Sequence, residues 1–287
     1  MQPPRISLDT HSRANPRCSS VNPEDEIYKN LESSPEAEIA GVVGPRGAAV
    51  GRGSTGTFWT ITASLAAWRL PGQAMQKTPL TIRRKVEQAE TSTYKAALKP
   101  YDVIRARVRL AAHSGSGARQ ALALELPGSE DADAELLAYA RELQAPVTFE
   151  DEQFGTFTLN KRINQFRATA QWLGSPVHLV TAAADAQDLA KALAVARRLW
   201  ANQDDWQRRV GEYAVQELLA LKNDSWLNED ESAVTPEQFI ARMKTETIDV
   251  GPYGFEFWHT DGGMFGGHSI YVRGGIDEGP DAASIEG

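Results

Sequence analysis

The sequence predicts an α+β chain: a small β-rich, barrel-like N-terminal part, followed by an α+β domain with an antiparallel sheet and two to three helices. Three observations predict it. Short runs rich in β-branched and aromatic residues, separated by Gly or Pro, follow one another from Ile39 to Gly128. Two later segments repeat apolar residues at spacings of three and four, the period of a helix with one buried stripe. A glycine-rich alternating stretch then closes the chain, so the order is strands, helices, strands.

Residues 1–37 read as a disordered tail, because the first 38 residues hold five prolines and almost no apolar periodicity. Within it, PEDEIYKNLESS has the composition for a helical turn or two. Residues 38–145 read as a β-rich domain ending in a helix. Val103, Arg105, Arg107 and Arg109 alternate with Ile104, Ala106, Val108 and Leu110, and Leu122, Leu124 and Leu126 share one strand face. The three arginines read as the wet face of a half-buried strand more readily than as a binding stripe. GPRGAAVGRG reads as a loop between strands, since it lacks the Lys-Ser/Thr ending of a phosphate loop. The stripe Leu136, Leu137, Ala140 and Leu143 makes a helix, capped by Asp131 or Asp133 and stopped by Pro146.

Residues 146–287 form the second domain. Phe149, Phe154, Phe157 and Leu159, and then Phe166, Ala168, Ala170 and Trp172, predict two strands joined by a turn at Asn160-Lys161-Arg162. Leu189, Leu193, Ala196 and Trp200 mark one helix, and Trp206, Val210, Tyr213, Ala214, Leu218 and Leu221 a second. Thr235-Pro236-Glu237 opens a third, with the threonine as cap and proline at its first position.

A net charge of -8 argues against a nucleic-acid partner, whose phosphates call for a basic surface. No apolar run is long enough to span a membrane. The single cysteine, Cys18, excludes an intrachain disulfide and fits a cytoplasmic setting. The expected partner is another protein, and no motif specifies a cofactor.

The stretches DEQFGTFTLN, QFRATAQWLG, ELLALKNDSW and FEFWHTDGGMFGGHSIYV resemble a bacterial family catalogued as domain of unknown function 2262, over roughly residues 146–287. Phe257, Trp258, Asp261 and His268 carry the most specific part of that resemblance. It implies a fold boundary and no activity. Distantly similar α+β domains occur among immunity proteins of bacterial toxin systems, so the resemblance favours a binding or interaction module, immunity-like in kind.

The closing stretch gathers the reactive side chains. With Asp261-Gly262-Gly263 as a three-residue hairpin loop, Glu256 stands opposite His268, within reach of a hydrogen bond that would raise the imidazole pKa. Glu256 and His268 are therefore the candidate catalytic pair, with Trp258, His259 and Asp261 as candidate binding residues. The alternative function is a hydrolytic or metal-assisted enzyme on this hairpin. His259, Asp261 and His268 offer a metal donor set, but their spacing matches no metal motif, and no metal ligand is assigned.

Overall fold

The structure is a computed structural model and describes residues 23–52, 58–112, 118–183 and 185–287. The chain divides into two compact units between Leu143 and Gln144.

The first unit opens with helix α1 (Pro23–Glu32) and strand β1 (Glu36–Gly51). The expected tail is thus ordered from residue 23 onward, and residues 1–22 lie outside the described residues. The physical reason is a short apolar stripe. Tyr28 and Leu31 are one turn apart on α1 and are 4 % and 1 % exposed. That burial offsets part of the entropy of ordering ten residues.

β1 pairs antiparallel with β2 (Trp59–Arg69) and also with β4 (Val103–Leu110). Its sixteen residues can serve two neighbours because register shifts at Val42/Val43 and Val43/Ala48 bend the strand. GPRGAAVGRG is therefore mostly strand and not a loop, and Gly47 (φ 64°) is required there: a Cβ would lie 2.9 Å from the Pro100 ring. β2 continues to β3 (Leu80–Val86), β3 pairs in parallel with β5 (Arg119–Ala123), and β5 returns to β4. The order β1-β2-β3-β5-β4-β1 closes a five-stranded barrel. The short strand β6 (Gly128–Ser129) adds to β4 outside it.

Ile61, Leu65, Trp68, Ile82, Ile104 and Val108 fill the barrel, joined by Tyr94 and Leu98 from and just after helix α2 (Thr91–Ala97). Alternation on β4 runs as the sequence predicts. On β5 it is inverted: Ala121 and Ala123 point inward while Leu122 does not, and Leu126 is exposed. Register sets this: Ala121 pairs with Ile82 and Leu110, and Ala123 with Val108, all core residues, so the alanines share the inward face. Helix α3 (Ala134–Gln144) lays Leu136 and Ala140 on Val42 and Val103, with Asp133 capping its first turn.

The second unit is an eight-stranded sheet. β7 (Thr148–Asp151), β8 (Gly155–Asn160), β9 (Gln165–Trp172) and β10 (Ser175–Thr181) run as a meander. Three helices follow: α4 (Ala186–Ala201), α5 (Gln203–Ser225) and α6 (Pro236–Arg242). The chain then re-enters as β11 (Lys244–Val250), β12 (Gly254–Thr260), β13 (Ser269–Gly275) and β14 (Gly279–Glu286). β10 and β11 are parallel, since a helical crossover separates them; every other neighbouring pair is antiparallel. The helices cover one face, where Phe157, Trp172, Leu199, Val210, Phe239 and Phe257 form the core.

Thr235 caps α6 in a reciprocal capping box with Gln238. On α5 the apolar stripe continues from Leu218 to Lys222, which is fully buried, while Leu221 is 40 % exposed. Among the described residues, no helix is long and apolar enough to cross a membrane.

Candidate functional site

The closing hairpin is built differently from its expected form. β12 and β13 pair Thr260 with Ser269 and Glu256 with Arg273, so the connection runs over residues 261–268. The Asp261 carboxylate causes this. It accepts hydrogen bonds from the backbone N–H groups of Gly263 (3.0 Å), Phe265 (2.7 Å) and Gly267 (3.0 Å). Burial alone would raise its pKa, but these amides outweigh it and hold the carboxyl below the ordinary range. The loop folds around that carboxylate and turns Met264 and Phe265 inward, 1 % and 0 % exposed. Gly262 (φ 55°) is obligatory, because a Cβ would lie 2.5 Å from the carbonyl oxygen of Arg242.

The proposed Glu256–His268 pair is therefore not formed. His268 lies past the strand end, five residues of register from the position facing Glu256, or roughly 16 Å along the sheet. Its Nδ1 donates to the carbonyl of Phe265 at 2.7 Å, and its ring lies 5.6 Å from that of Trp226. His259 is fully buried on the helix-covered face and stacked on Phe257. Its Nδ1 meets the Ile270 carbonyl at 3.4 Å, its Nε2 has no partner among the described residues, and burial pushes its pKa down to about 4. His259, Asp261 and His268 do not converge, and among the described residues no group of three or more His, Cys, Asp or Glu could hold a metal ion.

A packed corner accounts for the ELLALKNDSW stretch. Trp226 stacks edge-on against Phe265 at 5.7 Å. Lys222 Nζ donates to the Trp226 carbonyl and to Glu231, both at 2.6 Å, and Arg242 donates to the same carboxylate at 3.0 Å. Lys222 first and Arg242 second push the Glu231 pKa down to about 2. Asn223 bonds both backbone groups of Val234, which pins the α5–α6 connection.

Glu256 and Trp258 lie on the other, helix-free face of the sheet. Trp258 sits 4.8 Å from Tyr271, and Glu256 faces Asp249 across β11 and β12. Asp249 and Glu256 border a groove of about 630 Å³ that also holds Tyr253, Arg273 and Asp281, and Trp258 and Tyr271 lie outside its lining. Burial first, and Glu256 second, pushes Tyr271 up to about 12.

The barrel presents a second surface, which inspection of the closing hairpin overlooks. Residues 39–86, which become β1 (from Ile39), β2 and β3, contain seven Lys and Arg and no Asp or Glu. On the outer face, register sets Thr60 beside Lys85, Thr62 beside Arg83 and Ser64 beside Thr81. Arg83 donates to Gln120 of β5 at 2.9 Å. Next to Thr62 and Thr60 on β1 stand only Ala49 and Gly51, so the surface there is shallow. At its end, Phe58 is 52 % exposed and the Arg52 guanidinium lies 5.3 Å over the Trp59 ring. The β4 arginines differ. Arg105 pairs with Glu130 and Glu38, Arg107 with Glu36 and Glu125, and Arg109 with Glu36. A nearby groove of about 680 Å³ is lined by the same kind of satisfied pairs, Arg69–Asp133 and Arg105–Glu130.

Comparison with known proteins fits this division. Residues 151–285 match a family described as an uncharacterised protein conserved in bacteria, domain of unknown function 2262, as the resemblance implied. Residues 24–143 match a second domain of unknown function, 7021. No curated protein matches the chain. Among solved structures, a small single-stranded DNA-binding protein from Streptomyces coelicolor is 14 % identical and has a TM-score of 0.23, covering 35 % of this chain and 97 % of its own. The wild-type single-stranded DNA binding protein from Thermus aquaticus is 11 % identical with a TM-score of 0.24, covering 51 % and 72 %. At these TM-scores the likeness assigns no ligand to this chain.

The expectation of no nucleic-acid partner is nonetheless corrected. The solved structures that the chain is similar to are single-stranded DNA-binding proteins. The net charge that motivated the expectation is also not a property of the barrel. Residues 24–143 carry fifteen basic and fifteen acidic side chains, whereas residues 144–287 carry twelve and twenty-two. A whole-chain charge says nothing about a local surface.

Proposed function

We propose that this chain is a cytoplasmic binding protein whose barrel unit takes a polyanionic ligand on the outer face of β1, β2 and β3. The acid-free run carries the reading. At the chain's average of 38 acidic residues in 287, the 48 residues of 39–86 would hold about six, and they hold none. Because β1, β2 and β3 are neighbours, the run becomes one continuous half of the barrel. On the outer face of β2 and β3, Arg83 and Lys85 stand with no carboxylate on either strand, and such a local excess of positive charge attracts anions. The closed five-stranded Greek-key barrel is also an architecture whose β2–β3 face and β1–β2 loop receive extended ligands, oligonucleotides and oligosaccharides among them. Fold alone does not fix function, so the charge pattern is the argument and the barrel its support.

The test is a titration of the full chain with fluorescent polyphosphate at low salt. Binding is expected, weakening steeply as salt rises and lost in the double variant Arg52→Glu, Arg83→Glu. Absence of binding, or binding indifferent to both charge reversals, overturns the reading.

A second reading attaches to the second unit: an immunity-like interaction module that uses Trp258 and Glu256 on the helix-free sheet face. The half-buried Trp258–Tyr271 pair beside two carboxylates supports it. Trp258→Ala would abolish a partner complex while leaving the melting temperature within a few degrees of wild type; a large loss of stability instead makes Trp258 a packing residue.

A further inference from the structure

Resting on the polyanion reading of the barrel, we infer that the ligand class is single-stranded nucleic acid, with one base stacked on Phe58 and the phosphates following Arg52 and Arg83. Charge alone would accept any polyanion. The additional observation is an aromatic side chain placed where charge is already concentrated. Phe58 is 52 % exposed and immediately precedes β2, on the strand side of Thr60 and Thr62, which stand beside Lys85 and Arg83. A large apolar ring left half in water next to cationic groups fits a ligand that alternates π-faces with negative charge. Unpaired nucleotides have that alternation. Polyphosphate lacks the π-face, and a duplex keeps its base faces stacked inside.

The rest of the surface has the matching shape. Thr60, Thr62, Ser64 and Thr81 lay short hydroxyl side chains across β2 and β3, able to donate to phosphate oxygens. Ala49 and Gly51 on β1 leave the ground beside them low enough for a backbone to lie flat. Of the described helices, α2 turns Tyr94 into the barrel core, α3 packs on Val42 and Val103, and α1 borders the β3 side of this face, where Lys85 lies 4.3 Å over the Tyr28 ring.

The experiment is fluorescence anisotropy of the full chain with three probes of about equal charge: a single strand of about fifteen nucleotides, a duplex of about eight base pairs, and polyphosphate of about fifteen units. Deoxyribose and ribose single strands are run as separate arms, and tighter binding of one names the sugar. Single strand is expected to bind about tenfold tighter than duplex or polyphosphate. Phe58→Ala is expected to weaken the single strand about tenfold and leave polyphosphate unchanged, while Arg83→Ala weakens every probe and flattens the salt dependence. Phe58 is exposed, so its variant is expected to keep the wild-type melting temperature. Polyphosphate bound as tightly as single strand, with Phe58→Ala silent, overturns this inference and leaves the polyanion reading standing. Preference for duplex also overturns it. No binding of any probe overturns both.

Discussion

Asp249 and Glu256 face each other directly across β11 and β12, and among the described residues neither has an ion-pair partner. Arg273, which stands opposite Glu256 on its other side, pairs instead with Asp281 at 3.4 Å. Gln165 donates to Asp249 at 3.1 Å and is its only side-chain bond among the described residues. Opposed like charges cost stability in a sheet. Burial first, and Glu256 second, pushes the Asp249 pKa up to about 6.

That relationship has a definite pH signature. The unfolded carboxyl releases its proton near 3.8 and the folded one near 6, so the folded state holds the extra proton between those values. Stability from this group is full below about pH 4 and is lost as pH rises through 6. Asp249→Asn should stabilise the protein at pH 7 by about 1–2 kcal/mol, once solvent screening of this half-buried group is allowed for. Urea unfolding at pH 4 and 7 measures it; an equal effect at both would show that the Asp249 charge is not the cause.

His259 acts with the opposite sign. Its folded pKa of about 4 lies below the ordinary 6.5, because burial penalises the imidazolium. Its contribution is full above 6.5 and is lost as pH falls toward 4. Between pH 7 and 5 this removes about 2 kcal/mol from the wild type. His259→Phe would keep the stacking on Phe257 and remove the unpartnered Nε2. The variant should therefore show a flatter stability profile over that interval, and an unchanged slope would place the titration elsewhere.

Lys222 is a lever on the corner beneath the glycine loop. Its ammonium is 0 % exposed and holds both the Trp226 carbonyl and Glu231. Lys222→Met should lower the melting temperature by several degrees and move the Glu231 titration upward from about 2. Hydrogen exchange should quicken over residues 226–235. If exchange quickens uniformly over the second unit instead, the corner is not a local brace.

The two units should separate. The boundary between Leu143 and Gln144 lies just before Pro146, and each unit has its own core. A fragment of residues 144–287 is expected to fold alone and unfold cooperatively in urea. Failure to fold would make the first unit part of its stability.

Much of this was legible in residue order because the relevant physics is local. The β4 alternation, the stripes on α4 and α5, and the Thr235 cap depend on neighbours within a turn or two. The acid-free run from 39 to 86 was equally visible, and the signal was a missing residue type in one segment, masked by a whole-chain charge of -8. What tertiary structure decided is non-local. Pairing of β1 with β2 and of β2 with β3 brings that run together, and a bent β1 that reaches both β2 and β4 closes the barrel. The same closure sends Ala121 and Ala123 inward in place of the leucines between and beyond them, since they pair in register with the core residues Ile82, Val108 and Leu110. The separation of Glu256 from His268 follows from one carboxylate, Asp261. Its three backbone bonds form only once the loop has wrapped around it, and that lengthened loop sets the register of the whole hairpin.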